Sequence, residues 1–163
     1  MQLVVKKNNT LLFNEFEFKC SKGINGTTKN KYEGDKKTPK GTFSLENLYY
    51  RKDRIKFIET KLKKIPITKN MGWCDDVNSK FYNKPIKIDK NIRHEKLFRN
   101  DKKYDLIIPI KYNFKNPIKN KGSAIFIHLT NNYKKTLGCI ALKQNDLLIL
   151  LKLINKNTKI KII

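Results

Sequence analysis

The chain has 163 residues and no apolar run close to the roughly 20 residues of a membrane span, which bounds it as one domain, residues 1–163, large enough to bury its own core. Its formal charge is +23 at pH 7 and its pI ≈ 10.0, values that raise nucleic acid as a partner. Only four of the 37 basic residues are Arg (Arg51, Arg54, Arg93 and Arg99) and the Lys residues are spread along the chain, so the charge reads as a generally basic surface suited to an acidic polymer, and nucleic acid is not the expected partner.

Residues 3–6 and 10–13, on either side of Lys7-Asn8-Asn9, predict a β-hairpin, and residues 16–20 alternate as a half-buried strand. Residues 21–37 hold Gly23, Gly26 and Gly34 among polar residues and read as a loop. Pro39 and Gly41 then set a turn into a strand over 42–45. Residues 49–54 are polar and aromatic, the pattern of an exposed strand end, and 55–67 have mixed periodicity closing at Pro66. Residues 92–105 predict a short helix running into a turn, with His94 a surface or capping residue. On that helix His94 and Glu95 point about 100° apart and make a poor dyad. Residues 106–113 form a strand in which Pro109 marks an edge or a bulge. Residues 145–154 are the strongest helix, capped by Asn145 or Asp146 and apolar enough for the core, and 158–163 close the chain as a strand. The count gives a predominantly β domain with one principal helix near the C-terminus.

The stretch most suggestive of chemistry is 123–142. An apolar run leads into His128, a polar loop follows, and Leu137-Gly138-Cys139 opens a second apolar run. Eleven residues separate His128 from Cys139, so one strand-loop-strand turn brings the two side chains face to face. A thiolate is a strong nucleophile, and a neighbouring imidazole can take its proton. Gly138 permits a tight turn that leaves amide N–H groups free to face a developing oxyanion. The alternative is a packed free thiol beside a structural histidine. Three cysteines leave at least one free thiol; a Cys20–Cys74 disulfide stays open, although the length favours reduced thiols. With no Cys-x-x-Cys and two His residues 34 apart, no zinc site is expected, and no metal or organic cofactor is implied. Trp73, Asp75, Asp76, Tyr82 and Asn83 either line a groove for a polar ligand or pack the Trp on a small core beside a solvated acidic turn. Cys74 has no His near it and reads as structural.

His128, Thr136, Gly138, Cys139 and Ile140 resemble the active-site signature of the YkuD-type L,D-transpeptidases: a His at a strand end, a variable loop, then Ser/Thr-His-Gly-Cys-Ile/Val. Leu137 stands where that signature usually has its second His, Ala141 where Arg or Asn is common, and the loop is shorter. Thr38-Pro39-Lys40-Gly41-Thr42-Phe43 resembles the Thr-Pro-x-Gly-x-Phe segment near the start of these domains. Trp73-Cys74-Asp75-Asp76, Tyr82-Asn83, His94-Glu95, Arg99-x-Asp101-x-x-Tyr104-Asp105, Tyr112-Asn113 and Gly122-Ser123-Ala124-Ile125-Phe126-x-His128, in that order, resemble a compact single-domain branch of the family.

The resemblance implies a β-sandwich and acyl transfer on peptidoglycan stem peptides, forming 3,3 or 1,3 cross-links through a thioacyl-enzyme. Cys139 is then the nucleophile and His128 the base, later the acid. The Leu129 carbonyl orients the imidazole, and the N–H groups of Gly138 and Cys139 hold the oxyanion. Trp73, Asp75, Tyr82, Asn83, Tyr112 and Thr136 are the candidate substrate-binding residues. Two alternatives stand beside this reading: a peptidoglycan peptide hydrolase (L,D-carboxypeptidase or endopeptidase) of the same fold, and a non-catalytic basic module binding cell wall or nucleic acid. The family implies the periplasm or cell envelope, while residues 1–7 lack the pattern of a signal peptide.

Overall fold

The computed structural model describes residues 1–163. In chain order the strands are β1 (Gln2–Val5), β2 (Thr10–Phe13), β3 (Phe16–Lys19), β4 (Thr27–Thr28), β5 (Thr38–Pro39), β6 (Gly41–Ser44), β7 (Leu48–Tyr50) and β8 (Lys64–Pro66). There follow β9 (Met71–Cys74), β10 (Pro85–Lys87), β11 (His94–Lys96), β12 (Leu106–Pro109), β13 (Phe126–Leu129) and β14 (Ile140–Leu142), then the helix α1 (Gln144–Leu153) and β15 (Lys159–Ile162). The domain is predominantly β with one helix near its C-terminal end, as expected.

Two five-stranded sheets, ordered β3-β2-β1-β15-β6 and β14-β13-β12-β7-β8, enclose the main core. Near-strict alternation builds the first: Leu3, Val5, Ile160 and Ile162 are buried, while Lys159 and Lys161 point to water. β1 and β15 pair in parallel, which brings the two ends of the chain together inside this sheet. Leu147, Leu150, Leu151 and Ile154 add the face of α1 to the same core. The helix is capped at Lys143, with no side-chain cap bond, in place of the expected Asn145 or Asp146. The helical hydrogen bonds begin two to three residues earlier, with the Leu147 N–H donating to the Lys143 carbonyl. Asp146 therefore sits in the first turn, where its charge suits the helix dipole.

In the second sheet both faces are covered, and this is what places the site. Leu106, Ile108, Ile127, Leu129, Ile140 and Leu142 face the main core. Their neighbours Ile107, Phe126 and Cys139 face a second, aromatic core with Tyr49, Ile67, Trp73, Leu97, Tyr104 and Ala124. The small antiparallel sheet β10-β9-β11 belongs to this second layer.

Three local expectations change. The helix expected over 92–105 is absent: residues 94–96 pair with β9, Glu95 opposite Trp73, and the backbone partners this strand offers override a weak helical pattern. Residues 49–51 are not an exposed strand end. Tyr49 and Arg51 are buried, and the Arg51 guanidinium forks the Asp53 carboxylate at 2.8 and 2.6 Å, donates to the Arg99 carbonyl and stacks on Phe98. Pro109 lies on an interior strand. It is nonetheless β12's last residue, beyond the pairing with β7 at Leu106 and Ile107, so its missing N–H removes no ladder bond. All three cysteines are free thiols, which closes the Cys20–Cys74 disulfide alternative. No helix is long and apolar enough to cross a membrane.

Candidate active site

His128 and Cys139 lie on the same face of the second sheet. β13 and β14 run parallel with His128 opposite Ala141, so Cys139, two residues before Ala141, stands on His128's side. Their strands alternate between the two cores, and these two positions fall on the aromatic side.

The His128 ring is buried and its Nδ1 lies 2.9 Å from the Leu129 carbonyl oxygen. A carbonyl only accepts, so Nδ1 carries the proton and Nε2 keeps a free lone pair. Burial drives the imidazole's pKa down to about 4; the Leu129 carbonyl opposes this, and Lys103 and Arg99 reinforce it. The Cys139 thiol donates to the Ala124 carbonyl at 3.2 Å, and its sulfur accepts the Phe126 N–H at 3.3 Å. Burial pushes this thiol up to about 12. The Glu95 carboxylate adds to the shift, while the Phe126 N–H and Lys31 oppose it. At neutral pH the resting pair is therefore an uncharged thiol and an uncharged imidazole, with the thiol proton on Ala124.

The turn before Cys139 is held from three directions. Gly138 has φ +139°, and a Cβ there would stand 2.9 Å from the Lys37 carbonyl oxygen, so glycine is required. The Thr136 hydroxyl donates to the Cys139 carbonyl at 2.6 Å and accepts the Gly138 N–H at 3.1 Å. The Thr136 backbone is tied to Lys22 and Ile24. Of the two amides expected at an oxyanion site, Gly138's is thus engaged, whereas the Cys139 N–H has no acceptor within the protein. Leu137 is exposed, and Ala141 is buried.

A cleft of about 1040 Å³ opens over the pair. Of the expected substrate-binding residues, Asp75 and Thr136 line it, Asp75 being paired with Arg93. The other four do not line it and lie behind it, holding the segment that does. Trp73 is 1 % exposed and meets Tyr49 and Phe126 edge-on, so of the two alternatives for this Trp the structure has the packed one. Its Nε1 donates to Asn83 Oδ1, which also accepts the Ala124 N–H, while the Asn83 amide donates to the carbonyls of Tyr112 and Asn113. Tyr82 donates to Glu33 and accepts the Gly122 N–H, and Tyr112 donates to the Lys121 carbonyl. These contacts fix residues 122–124, including Ala124 at φ +52°, whose carbonyl receives the thiol.

Sequence reasoning passed over several residues at this cleft. Lys31 is 4 % exposed and ion-paired with Asp35. Glu33 accepts from Ser123 as well as from Tyr82. Tyr104 donates to Glu95, and its ring meets that of His128 at 5.4 Å. The helix expected over 92–105 hid this last pair, although the order His-Glu then Arg-x-Asp-x-x-Tyr was visible. No group of His, Cys, Asp and Glu is placed to hold a metal ion.

A family model for the L,D-transpeptidase catalytic domain, YkuD, matches residues 1–162. Among solved structures, an L,D-transpeptidase from Mycobacterium smegmatis is similar with a TM-score of 0.45 and 10% identity, over 99% of this chain and 58% of that one. The chain thus spans less than two thirds of that protein's length. No curated protein matches the chain.

Proposed function

Since the chain belongs to the YkuD family of L,D-transpeptidase catalytic domains, we propose that it transfers acyl groups between peptidoglycan stem peptides through a thioester on Cys139. The observation that carries this reading is the bond from His128 Nδ1 to the Leu129 carbonyl, which leaves Nε2 as a free base on the face shared with Cys139.

In the first half-reaction the thiol leaves the Ala124 carbonyl and passes its proton to Nε2 as sulfur attacks the stem-peptide carbonyl. The amide attacked is that between a diamino acid and the following D-residue. The Cys139 N–H, free at rest, receives the oxyanion. His128 then protonates the departing amine, leaving the thioacyl-enzyme. In the second half-reaction the amine of another stem attacks the thioester and a cross-link of the 3,3 or 1,3 type results. Because thiol and imidazole are both neutral at rest, charge separates only as substrate excludes water and supplies the oxyanion. The proposed location is the periplasm or cell envelope, where the +23 chain meets anionic wall polymers.

The test is incubation with disaccharide-tetrapeptide muropeptides followed by mass spectrometry. Cross-linked dimers, absent with Cys139→Ala and with His128→Ala, are expected. Trimmed monomers alone would make the chain a hydrolase and remove transfer from the reading. Intact-mass analysis after a carbapenem gives a second readout, with one adduct that Cys139→Ala abolishes.

A further inference from the structure

The acyl-transfer reading leaves one group at the centre of the site without a task. Glu95 projects from β11 and takes the hydroxyl hydrogen of Tyr104. The Tyr104 ring lies edge-on to His128 at 5.4 Å and to Phe126 at 5.9 Å, and the Phe126 N–H donates to the Cys139 sulfur. The carboxylate is thus linked to base and thiol through Tyr104 and Phe126, and it lines the same cleft.

No cation bonds the Glu95 carboxylate, and Arg99 acts on it only from a distance. The chain has 37 basic and 14 acidic residues, so cations are the cheapest partners it has. Asp75 is paired with Arg93, Asp101 with Arg99 and Asp35 with Lys31. Arg99, a guanidinium of the same cleft, is committed to Asp101 at 3.0 and 2.6 Å and lies over the Tyr104 ring. Glu33 has no cation either, but it is held by two hydroxyls, those of Tyr82 and Ser123. Glu95 accepts from Tyr104 alone, and its second oxygen accepts no hydrogen bond in the protein. A half-buried carboxylate with one oxygen still open to the cleft is completed by a ligand cation.

Resting on the acyl-transfer reading, we propose that Glu95 receives the ammonium of the acceptor and makes an amine, rather than water, the group that resolves the thioacyl-enzyme. The step balances. The bound ammonium loses one proton to the Glu95 carboxylate and becomes the neutral amine. Its nitrogen lone pair forms the C–N bond to the thioester carbonyl. As the C–S bond breaks, the second surplus nitrogen proton passes through His128 to the departing sulfur. The products are an amide, the free thiol and a proton that Glu95 returns to solvent. The same charge disfavours a thiolate on Cys139, so Glu95 does not serve the first half-reaction. Pairing with an ammonium removes that opposition.

The ratio of transfer to hydrolysis isolates this role. A disaccharide-tetrapeptide donor would be used with a tripeptide acceptor carrying a free side-chain amine, or with the same peptide N-acetylated. For wild type, transfer to the added tripeptide, read from the mass of its dimer with the donor, rises with the free amine and is absent when that amine is acetylated. Glu95→Gln keeps the shape and can still accept the Tyr104 hydrogen, but loses the charge. Its transfer-to-hydrolysis ratio is expected to fall ten- to a hundredfold, roughly the worth of one charge-assisted contact. An unchanged ratio would overturn the proposal, including the case where both products fall together, because a structural role lowers both alike. A wild-type chain that forms an acyl-enzyme yet only hydrolyses it also overturns this proposal alone. A wild type that forms no acyl-enzyme overturns the acyl-transfer reading beneath it. Glu95→Ala, which loses the Tyr104 bond as well, is expected to lose at least as much of the ratio as Glu95→Gln.

Discussion

The two cores on either side of the β14-β13-β12-β7-β8 sheet are built from different materials. The main core is mostly aliphatic, filled by 25 buried residues such as Leu3, Ile127 and Leu150, and their side chains pack by burial without side-chain hydrogen bonds. The second is smaller and aromatic, with nine buried residues centred on Trp73, Tyr104 and Phe126. Polar ties thread it: Asn83 to Trp73 and Ala124, Tyr104 to Glu95, Tyr82 to Glu33. Aliphatic packing tolerates small repacking, whereas a buried hydrogen-bond hub has one arrangement. The first core sets how stable the domain is. The second sets where the Ala124 carbonyl, the imidazole and the thiol stand.

The sharpest test of that division lies in the second layer. Cys139→Ala removes the proposed nucleophile and is expected to lower acyl transfer by at least a thousandfold, read from dimer formation, with little change in the urea midpoint. Leu150→Ala in the main core does the reverse. It leaves a cavity costing about 2–5 kcal/mol in urea unfolding, while transfer per folded molecule stays near wild type. Asn83→Ala is expected to cost about 2–3 kcal/mol, since it strands the Trp73 and Ala124 N–H donors, and also to cut transfer at least tenfold because residues 122–124 lose their hold. If Asn83→Ala unfolds the domain more easily but spares transfer per folded molecule, the division between the two layers fails.

pH sharpens it further. His128 is depressed to about 4 against an ordinary 6.5, so the unfolded chain binds a proton that the folded one refuses. The stability this site contributes is full above pH 6.5 and is lost as pH falls towards 4, a difference of about 3 kcal/mol. His128→Gln is expected to flatten this part of the stability curve, measured by urea titration from pH 7 to pH 4. The Cys139 thiol, raised to about 12, gives the opposite limb, with stability lost as pH rises above the ordinary thiol value of 9. Cys20, raised to about 11 by burial in the main core, contributes on that limb too, so the basic limb is shared between the two layers.

What the chain discloses before folding follows the same division. The hairpin of apolar runs at 3–6 and 10–13, the alternation at 16–20 and the apolar run of α1 announce the main core directly. His128 and Cys139 stand out because their residue types, the glycine between them and the spacing require one another. The aromatic layer is hidden. Glu95 and Tyr104 are brought to His128 by pairing between β11 and β9, which join residues about 20 positions apart through backbone bonds that leave no periodic trace. Trp73, Tyr82 and Asn83 look like ligand-binding residues by type, and only the folded contacts show that their polar atoms are consumed within the protein, Trp73 by Asn83, Asn83 also by residues 112, 113 and 124, and Tyr82 by Glu33 and Gly122.

The smallest expected effect concerns the turn that joins the layers. Thr136→Val keeps the shape of the side chain but deletes the hydroxyl that donates to the Cys139 carbonyl and accepts the Gly138 N–H. Losing both contacts is worth about 1–2 kcal/mol at the turn, so the rate of carbapenem acylation is expected to fall roughly tenfold. Thr136→Ser retains both bonds and is expected within about twofold of wild type. The direction of the valine result separates two pictures of the oxyanion site. A fall means that the hydroxyl is needed to hold the turn, with the Cys139 N–H the principal donor. A rise means that the Gly138 N–H, released from Thr136, is a second donor kept occupied at rest, and the turn would then be a participant in the reaction rather than its support.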